Sequence, residues 1–468
     1  LFYLVDNNKM KTNRTPWYTL LFVIYLCIIS SAQAQPSFSK ANKFWSSPEF
    51  VNKFMATYGV KSEVEPNINA EEKELFEKLI PLIKQDPDKA ISMLIRKIEA
   101  ESSAALDFTL GNLYAQANNN SKALIQYRAA IDKFPDFQRA HINLGVVLIQ
   151  LGQNSDALSE LLRALELGAE DGNIYGLIGY CHLIGENYIS AETAYRKALL
   201  FSPDKTDWKL GLAQCQLQQY KYGESVALFE ELIQKNPNNK DYWIHQANAF
   251  LGLAESSKAA VNYEVVKRMG KADALVLNQL GDFYINNGVY KTAFEAYRDA
   301  LKIDESKKPQ LSTRSVDVMI SVGELEYATA LLKNIREVRK VDFEEKDQLK
   351  VLQLEARLLF AKGNEDSAAS ILEKIVEKDP LDGESVLILA DYYGRNENVE
   401  KAELFYQRAA QLDDFEVRAK ISHAQFHVLQ DAYHKALPLL REAQLKRPRN
   451  NVQRYLDKVE KLAKLKSN

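Results

Sequence analysis

Apolar and polar positions alternate along this chain on two scales. Within segments such as 104–117 and 122–133 the apolar residues fall at helical spacing. Between those two segments stands the polar break Ala117-Asn118-Asn119-Asn120, a turn signal. On the longer scale a small residue returns every 34 positions, as Gly111, Gly145, Gly179, Ala213, Ala247 and Gly281. Other columns keep the same interval. Ala123, Ala157, Ala191, Ser225, Ala259 and Ala293 form one. The large residues Tyr127, Leu161, Tyr195, Phe229, Tyr263 and Tyr297 form another. A third holds Ala130, Ala164, Ala198, Leu232, Val266 and Ala300, often followed by proline, as at Pro135, Pro203 and Pro237. A fixed period of about 20–50 residues marks an array of stacked units rather than a set of globular domains.

Each unit is predicted to be a helix A, a turn and an antiparallel helix B. Gly111 on helix A and Ala123 on helix B lack bulk where two backbones approach, and Tyr127 fills the groove they leave. Proline cannot continue a helix, so Pro135 ends helix B. One such pair cannot bury its apolar face alone, and the units must stack.

These columns resemble the tetratricopeptide repeat. Tyr175, Ile178-Gly179, Ala191, Tyr195, Ala198 and Pro203 carry the pattern in the third unit. The phase slips by one residue near Glu305–Pro309, and an insertion lies around Val338–Gln348. The resemblance implies an all-α, right-handed solenoid with units one to six over 104–308 and seven to ten over 309–450. Helices A are expected near 104, 138, 172, 206, 240, 274, 309, 349, 383 and 417. Residues 71–103 read as a degenerate unit, and 451–468 as a polar-faced capping helix. The slip and insertion mark 308/309 as a place where the array divides.

The N-terminal region changes the picture of location. Met10, Lys11 and Arg14 precede an apolar run from Trp17 to Ile29 and then Ser30-Ser31-Ala32-Gln33-Ala34. That is the layout of a secretory leader, with cleavage expected after Ala34 and Gln35 as the first mature residue. Residues 1–9 read as an upstream extension. The rival reading is an uncleaved membrane anchor. The expected location is the bacterial periplasm or the exterior. Residues 35–70 carry a short helix beginning at Ser47-Pro48-Glu49, expected to dock as a cap, and Asn69 with Glu72 forms a capping-box start for the next helix. Ser47-Pro48-Glu49-Phe50-Val51, Tyr58-Gly59 and Glu65-Pro66 add a resemblance to envelope tetratricopeptide proteins associated with ExbB/ExbD/TonB-type transport systems.

Formal charge is −3 with no basic stripe, so nucleic-acid binding through phosphate contacts is not expected. No phosphate loop, zinc-type Cys/His spacing or catalytic constellation stands out, and neither an enzyme nor a cofactor or metal is expected. Cys181 and Cys215 hold the same place in adjacent units and read as buried free thiols. His423 and His427 sit four apart on one helix, as a metal pair would, but occupy the columns of Leu144 and Leu148 and read as packing residues.

Function is therefore sought on helices A, which line the concave groove in this family. The expected peptide-binding positions are Asn112, Tyr180, Gln214, Gln218, Ile244, Asn248, Asn278, Asp282 and Asn286. The structural columns are Gly111, Gly145, Gly179, Gly281, Ala123, Ala157, Ala191, Ala259 and Ala293. A carboxamide donates and accepts, so Gln214, Asn248 and Asn278, with Asp282, form an expected ladder for the main chain of an extended peptide. Asn112 and Asn143 match two positions of the family's carboxylate clamp. Phe108, Asn173 and Leu177 replace its cations, so that clamp is not expected. The reading is a non-catalytic interaction scaffold that binds a protein or extended peptide, with membrane contact only through a partner or an uncleaved leader. The alternatives are an accessory subunit of an envelope enzyme or polysaccharide-export machine, or a glycan-binding solenoid.

Overall fold

A computed structural model describes residues 63–304, 310–338 and 344–466. The leader, the short helix from Ser47, the slip at 305–309 and the centre of the insertion lie outside these residues. The described residues form 23 α-helices and no strand, and within each of two compact units, divided between Asn262 and Tyr263, consecutive helices pack as antiparallel pairs. None of these helices is long and apolar enough to cross a membrane.

The degenerate pair is α1 (Ala70–Gln85) and α2 (Pro87–Ile95). The six regular pairs follow. They are α3 (Ala104–Gln116) with α4 (Asn120–Lys133), α5 (Gln138–Gln150) with α6 (Asn154–Glu166), and α7 (Gly172–Ile184) with α8 (Tyr188–Phe201). Next come α9 (Thr206–Gln218) with α10 (Tyr222–Lys235), α11 (Lys240–Gly252) with α12 (Ser256–Arg268), and α13 (Ala274–Asn286) with α14 (Tyr290–Ile303). The later pairs are α15 (Gln310–Ser321) with α16 (Leu325–Val338), α17 (Glu345–Ala361) with α18 (Glu365–Lys378), α19 (Gly383–Arg395) with α20 (Val399–Ala410), and α21 (Glu416–Leu429) with α22 (Tyr433–Lys446). Helix α23 (Asn450–Lys466) closes the series.

The periodic residues explain these boundaries. Helices α4, α8 and α10 each stop two residues before Pro135, Pro203 and Pro237. Helix α1 opens on the expected capping box: the Glu72 amide donates to Asn69 Oδ1 and the Asn69 amide to Glu72 Oε2, both at 2.8 Å. Helix α17 begins at Glu345, not near 349, because the end of the insertion continues helix A by a further turn. The A-to-B turn of every regular unit places one residue in the left-handed region. Asn118, Gly152, Glu186, Tyr220, Ala254 and Gly288 take φ between 57° and 75° in the first six units. Gly323, Gly363, Glu397 and Asp431 do so in the last four.

Two compact units divide the chain between Asn262 and Tyr263, within α12, rather than at 308/309. The slip does not interrupt packing, since Ala293, Tyr297 and Leu301 share one core with Val316 and Met319 on its far side. In the first unit, Phe76, Leu79, Ala90 and Leu94 pack against Ala105, Leu106, Leu110 and Leu113, so the degenerate pair covers the end of the regular array. Glu65 holds the preceding segment down. Arg139 on α5 donates to it from Nε and Nη2 at 2.6 and 2.5 Å, and the Arg139 guanidinium lies 5.3 Å from the Phe108 ring centre. In the second unit, Val452, Leu456 and Val459 of α23 cover Ala424, Ala436 and Leu440, which is how a capping helix ends a stack.

Candidate functional site

The small-residue column creates close helix approaches. A Cβ added at Gly111, Gly145 or Gly179 would stand 2.7, 2.8 or 2.9 Å from Tyr127, Leu161 or Tyr195, and one at Gly281 would meet the Tyr297 ring. Ala123, Ala157, Ala191, Ala259 and Ala293 are fully buried opposite them. Ser225 fits the alanine column because its hydroxyl donates to the Ala213 carbonyl at 2.9 Å.

In the first four repeats the position just after the small residue does not line an open groove. In the first unit Asn112 is buried, and its Oδ1 accepts from the Tyr127 hydroxyl at 2.7 Å and from Asn143 Nδ2 at 2.8 Å. Tyr180 and Gln214 are buried in the same column. Gln214 Oε1 has no hydrogen-bond partner. In its repeat the tyrosine position is occupied by Phe229, which has no hydroxyl to offer. Gln218, Ile244 and Asn248 keep partial exposure. Of the clamp positions, Phe108 and Leu177 are buried and Asn173 is exposed.

In the second unit Asn278 is buried and donates back to the Ala274 carbonyl at 2.7 Å. Asp282 Oδ1 accepts from the Tyr297 hydroxyl and its Oδ2 from Arg314 Nη2, both at 2.6 Å. Burial raises the Asp282 pKa, and the opposing pull of Arg314 and Tyr297 does not cancel it. Asp391 and Tyr406 repeat the pairing at 2.6 Å. Asn286, at the end of α13, is exposed. The expected ladder is thus corrected: Gln214 and Asn278 are buried, and Asp282 is already held by Tyr297 and Arg314. Neighbouring helix positions differ by about 100°, and one step from the small residue still faces the seam between helices.

A different column reaches the surface. Gln150, Ile184 and Gln218, at the C-terminal ends of α5, α7 and α9, remain partly exposed. Ile184 lines a cleft of about 630 Å³ formed by the α5–α6 turn, the start of α6 and the end of α7. Leu158 and Cys181 give this cleft apolar surface, and Gln153, Asn154, Asn187 and His182 give it polar groups. Burial lowers the His182 pKa, which favours its neutral ring. Asn154 Oδ1 is buried there without a hydrogen-bond partner. No single column of the sequence signals this cleft, because its walls come from two consecutive repeats.

The other singled-out residues are interior. Cys181 and Cys215 are free and buried, and burial pushes both thiols up to about 12. His423 and His427 are buried on α21, with the Tyr406 and His423 rings stacked at 5.0 Å. Burial, and secondarily His427, lowers the His423 pKa to about 4.

Comparison with known proteins agrees with this architecture. Residues 108–173, 183–255, 274–307 and 354–417 match sequence models of the tetratricopeptide repeat. The BBSome complex member BBS4 of Bos taurus is 26% identical over 226 residues, covering 47% of this chain and 43% of that protein. The chain spans less than half the length of the curated relatives it matches. A solved tetratricopeptide repeat protein from Parabacteroides merdae is 21% identical with a TM-score of 0.37, over 56% of this chain and 97% of that one. YrrB, described as a TPR protein with an unusual peptide-binding site, is 18% identical with a TM-score of 0.37, over 40% of this chain and 96% of that one.

Proposed function

The chain belongs to the tetratricopeptide repeat family, whose repeats build protein–protein interaction scaffolds, and from that premise we propose that it binds an extended segment of a partner protein without catalysis of its own. The cleft at Ile184 carries this reading. It joins apolar wall, carboxamides and an unpartnered buried oxygen at the end of a helix A. An apolar side chain of the partner enters beside Ile184 and Leu158, and its main chain meets Gln153, Asn154 and Asn187. Gln150 and Gln218 continue the contact along neighbouring helices A. A neutral hydrogen bond of this kind contributes about 0.5–1.5 kcal/mol, so binding is spread over several contacts.

The proposed setting is the bacterial envelope, with a transport complex as partner. The charged, apolar and small-residue succession over Met10–Ala34 supports export, and the two buried free thiols are compatible with an oxidising compartment. An intact mass starting at Gln35 checks this part separately. For the cleft, a photo-crosslinking residue is placed at Ile184, with the exposed Leu200 of α8 as control. A partner is expected to be captured from position 184 and lost when Asn154→Ala and Asn187→Ala are combined. Equal capture from both positions, unchanged by that double substitution, places binding elsewhere.

A further inference from the structure

We propose that Glu403, His423 and His427 form a binding site for one divalent late-transition ion of the zinc type. Glu403 stands on α20 and the two histidines one turn apart on α21, so both imidazoles share a helix face. One ring nitrogen from each histidine and one carboxylate oxygen lie within 4.8 Å of one another. His427 Nε2 is 3.9 Å from Glu403 Oε1, and the two imidazole centres are 4.5 Å apart.

Packing alone does not account for this group. His423 and His427 are 7% and 3% exposed, yet His423 Nε2 and His427 Nδ1 have no hydrogen-bond partner. A buried polar atom left unpaired is destabilising by about 1–3 kcal/mol. The same two columns hold Leu144 and Leu148 in the second repeat, where both are fully buried. Leucines would fill these places without that penalty. A metal ion on His423 Nε2 accepts a lone pair that no donor in the protein meets, and His427 turns its other nitrogen, Nε2, toward Glu403.

The donor set selects the ion. Two imidazoles and a carboxylate suit zinc and its neighbours, whereas magnesium and calcium prefer oxygen ligands throughout. At zinc–ligand distances of about 2.0–2.1 Å, tetrahedral ligands stand about 3.3 Å from one another. The triad must therefore close slightly. Glu403 is the group able to move, since its side chain is 29% exposed. Lys435 Nζ lies 3.0 Å from Glu403 Oε1 and competes for that carboxylate. Its own side chain is half exposed and can turn away into water.

The test is calorimetric titration of the full chain, freed of metal, with zinc ions, and with magnesium as the hard-cation control. One equivalent of zinc is expected to bind and to raise the thermal midpoint, as any ligand of the folded state does, while magnesium does neither. The double substitution His423→Leu with His427→Leu should keep the helical circular dichroism and lose that equivalent. Glu403→Gln should weaken binding, and Lys435→Met should tighten it by removing the competitor. No zinc binding by the parent chain overturns the proposal, as does an unchanged zinc equivalent in the folded double-leucine variant. Should that variant misfold, the two partly exposed positions decide: equal affinities for the parent, Glu403→Gln and Lys435→Met also overturn it.

Discussion

The Tyr127 hydroxyl on α4 donates to Asn112 Oδ1 on α3 at 2.7 Å, and the same oxygen accepts from Asn143 of the following repeat at 2.8 Å. One carbonyl thus ties helix B to helix A and one repeat to the next. Tyr297 with Asp282 and Tyr406 with Asp391 repeat the bond from helix B to helix A in the second unit, and Arg314 ties Asp282 to the next repeat. Tyr127→Phe leaves the Asn143 bond in place and should cost about 0.5–1.5 kcal/mol. Asn112→Ala removes the acceptor of both bonds, and should cost about 1–3 kcal/mol. Chemical denaturation of the two variants checks the order. Equal stability of Asn112→Ala and the parent would show that the clasp holds nothing.

Glycine substitutions separate the close-approach positions from the incidental ones. A methyl group at Gly281 meets the Tyr297 ring, whereas nothing lies within 4 Å of a Cβ at Gly223. Gly281→Ala should destabilise by about 1–3 kcal/mol, the usual range for overpacking. Gly223→Ala, inside helix α10, should stabilise by about 0.5–1 kcal/mol, because alanine loses less backbone entropy in a helix. Opposite shifts in the thermal midpoint are the expected result.

The left-handed turn residue offers a different test. Ala254 takes a φ of 59°, a conformation disfavoured for L side chains by about 1–2 kcal/mol. Gly152 and Gly288 fill the equivalent place in other repeats without that strain. Ala254→Gly should raise stability by about 0.5–1 kcal/mol, the relieved strain less the added entropy of the unfolded glycine. A destabilised variant would mean that the alanine methyl group contributes more by contact than it costs by strain.

His141 sets a pH dependence of known sign. Its Nδ1 lies 2.6 Å from Glu160 Oε2 and its Nε2 2.9 Å from the Pro135 carbonyl oxygen, so the protonated ring donates to both. Burial opposes the charge and Arg163 adds to that opposition, but Glu160 and the carbonyl outweigh them and the pKa is raised. The stabilisation is fully present below the ordinary histidine value of 6.5 and is lost as pH rises through the folded-state pKa. Nuclear magnetic resonance titration of the ring should show a midpoint above 6.5. His141→Gln should flatten the corresponding fall in stability on the alkaline side.

The sequence by itself determined the period, the pairing of helices and most of their boundaries. Helices A begin at 104, 138, 172, 206, 240 and 274 as the columns require. The reason is local: small residues, apolar spacing and helix-stopping prolines all act within one repeat. The candidate site was less legible. Asn112 and Asp282 read as groove residues because an Asn or Asp on helix A looks solvated until its partners are placed. Those partners stand 15 residues away on helix B and 31 or 32 residues away in the next repeat. Only stacking decided which side of helix A would be seam and which surface, since one helical position turns a side chain by about 100°. Stacking likewise assembled the cleft at Ile184 from two repeats, and brought Glu403 from a preceding helix to a histidine pair that spacing alone assigned to the core.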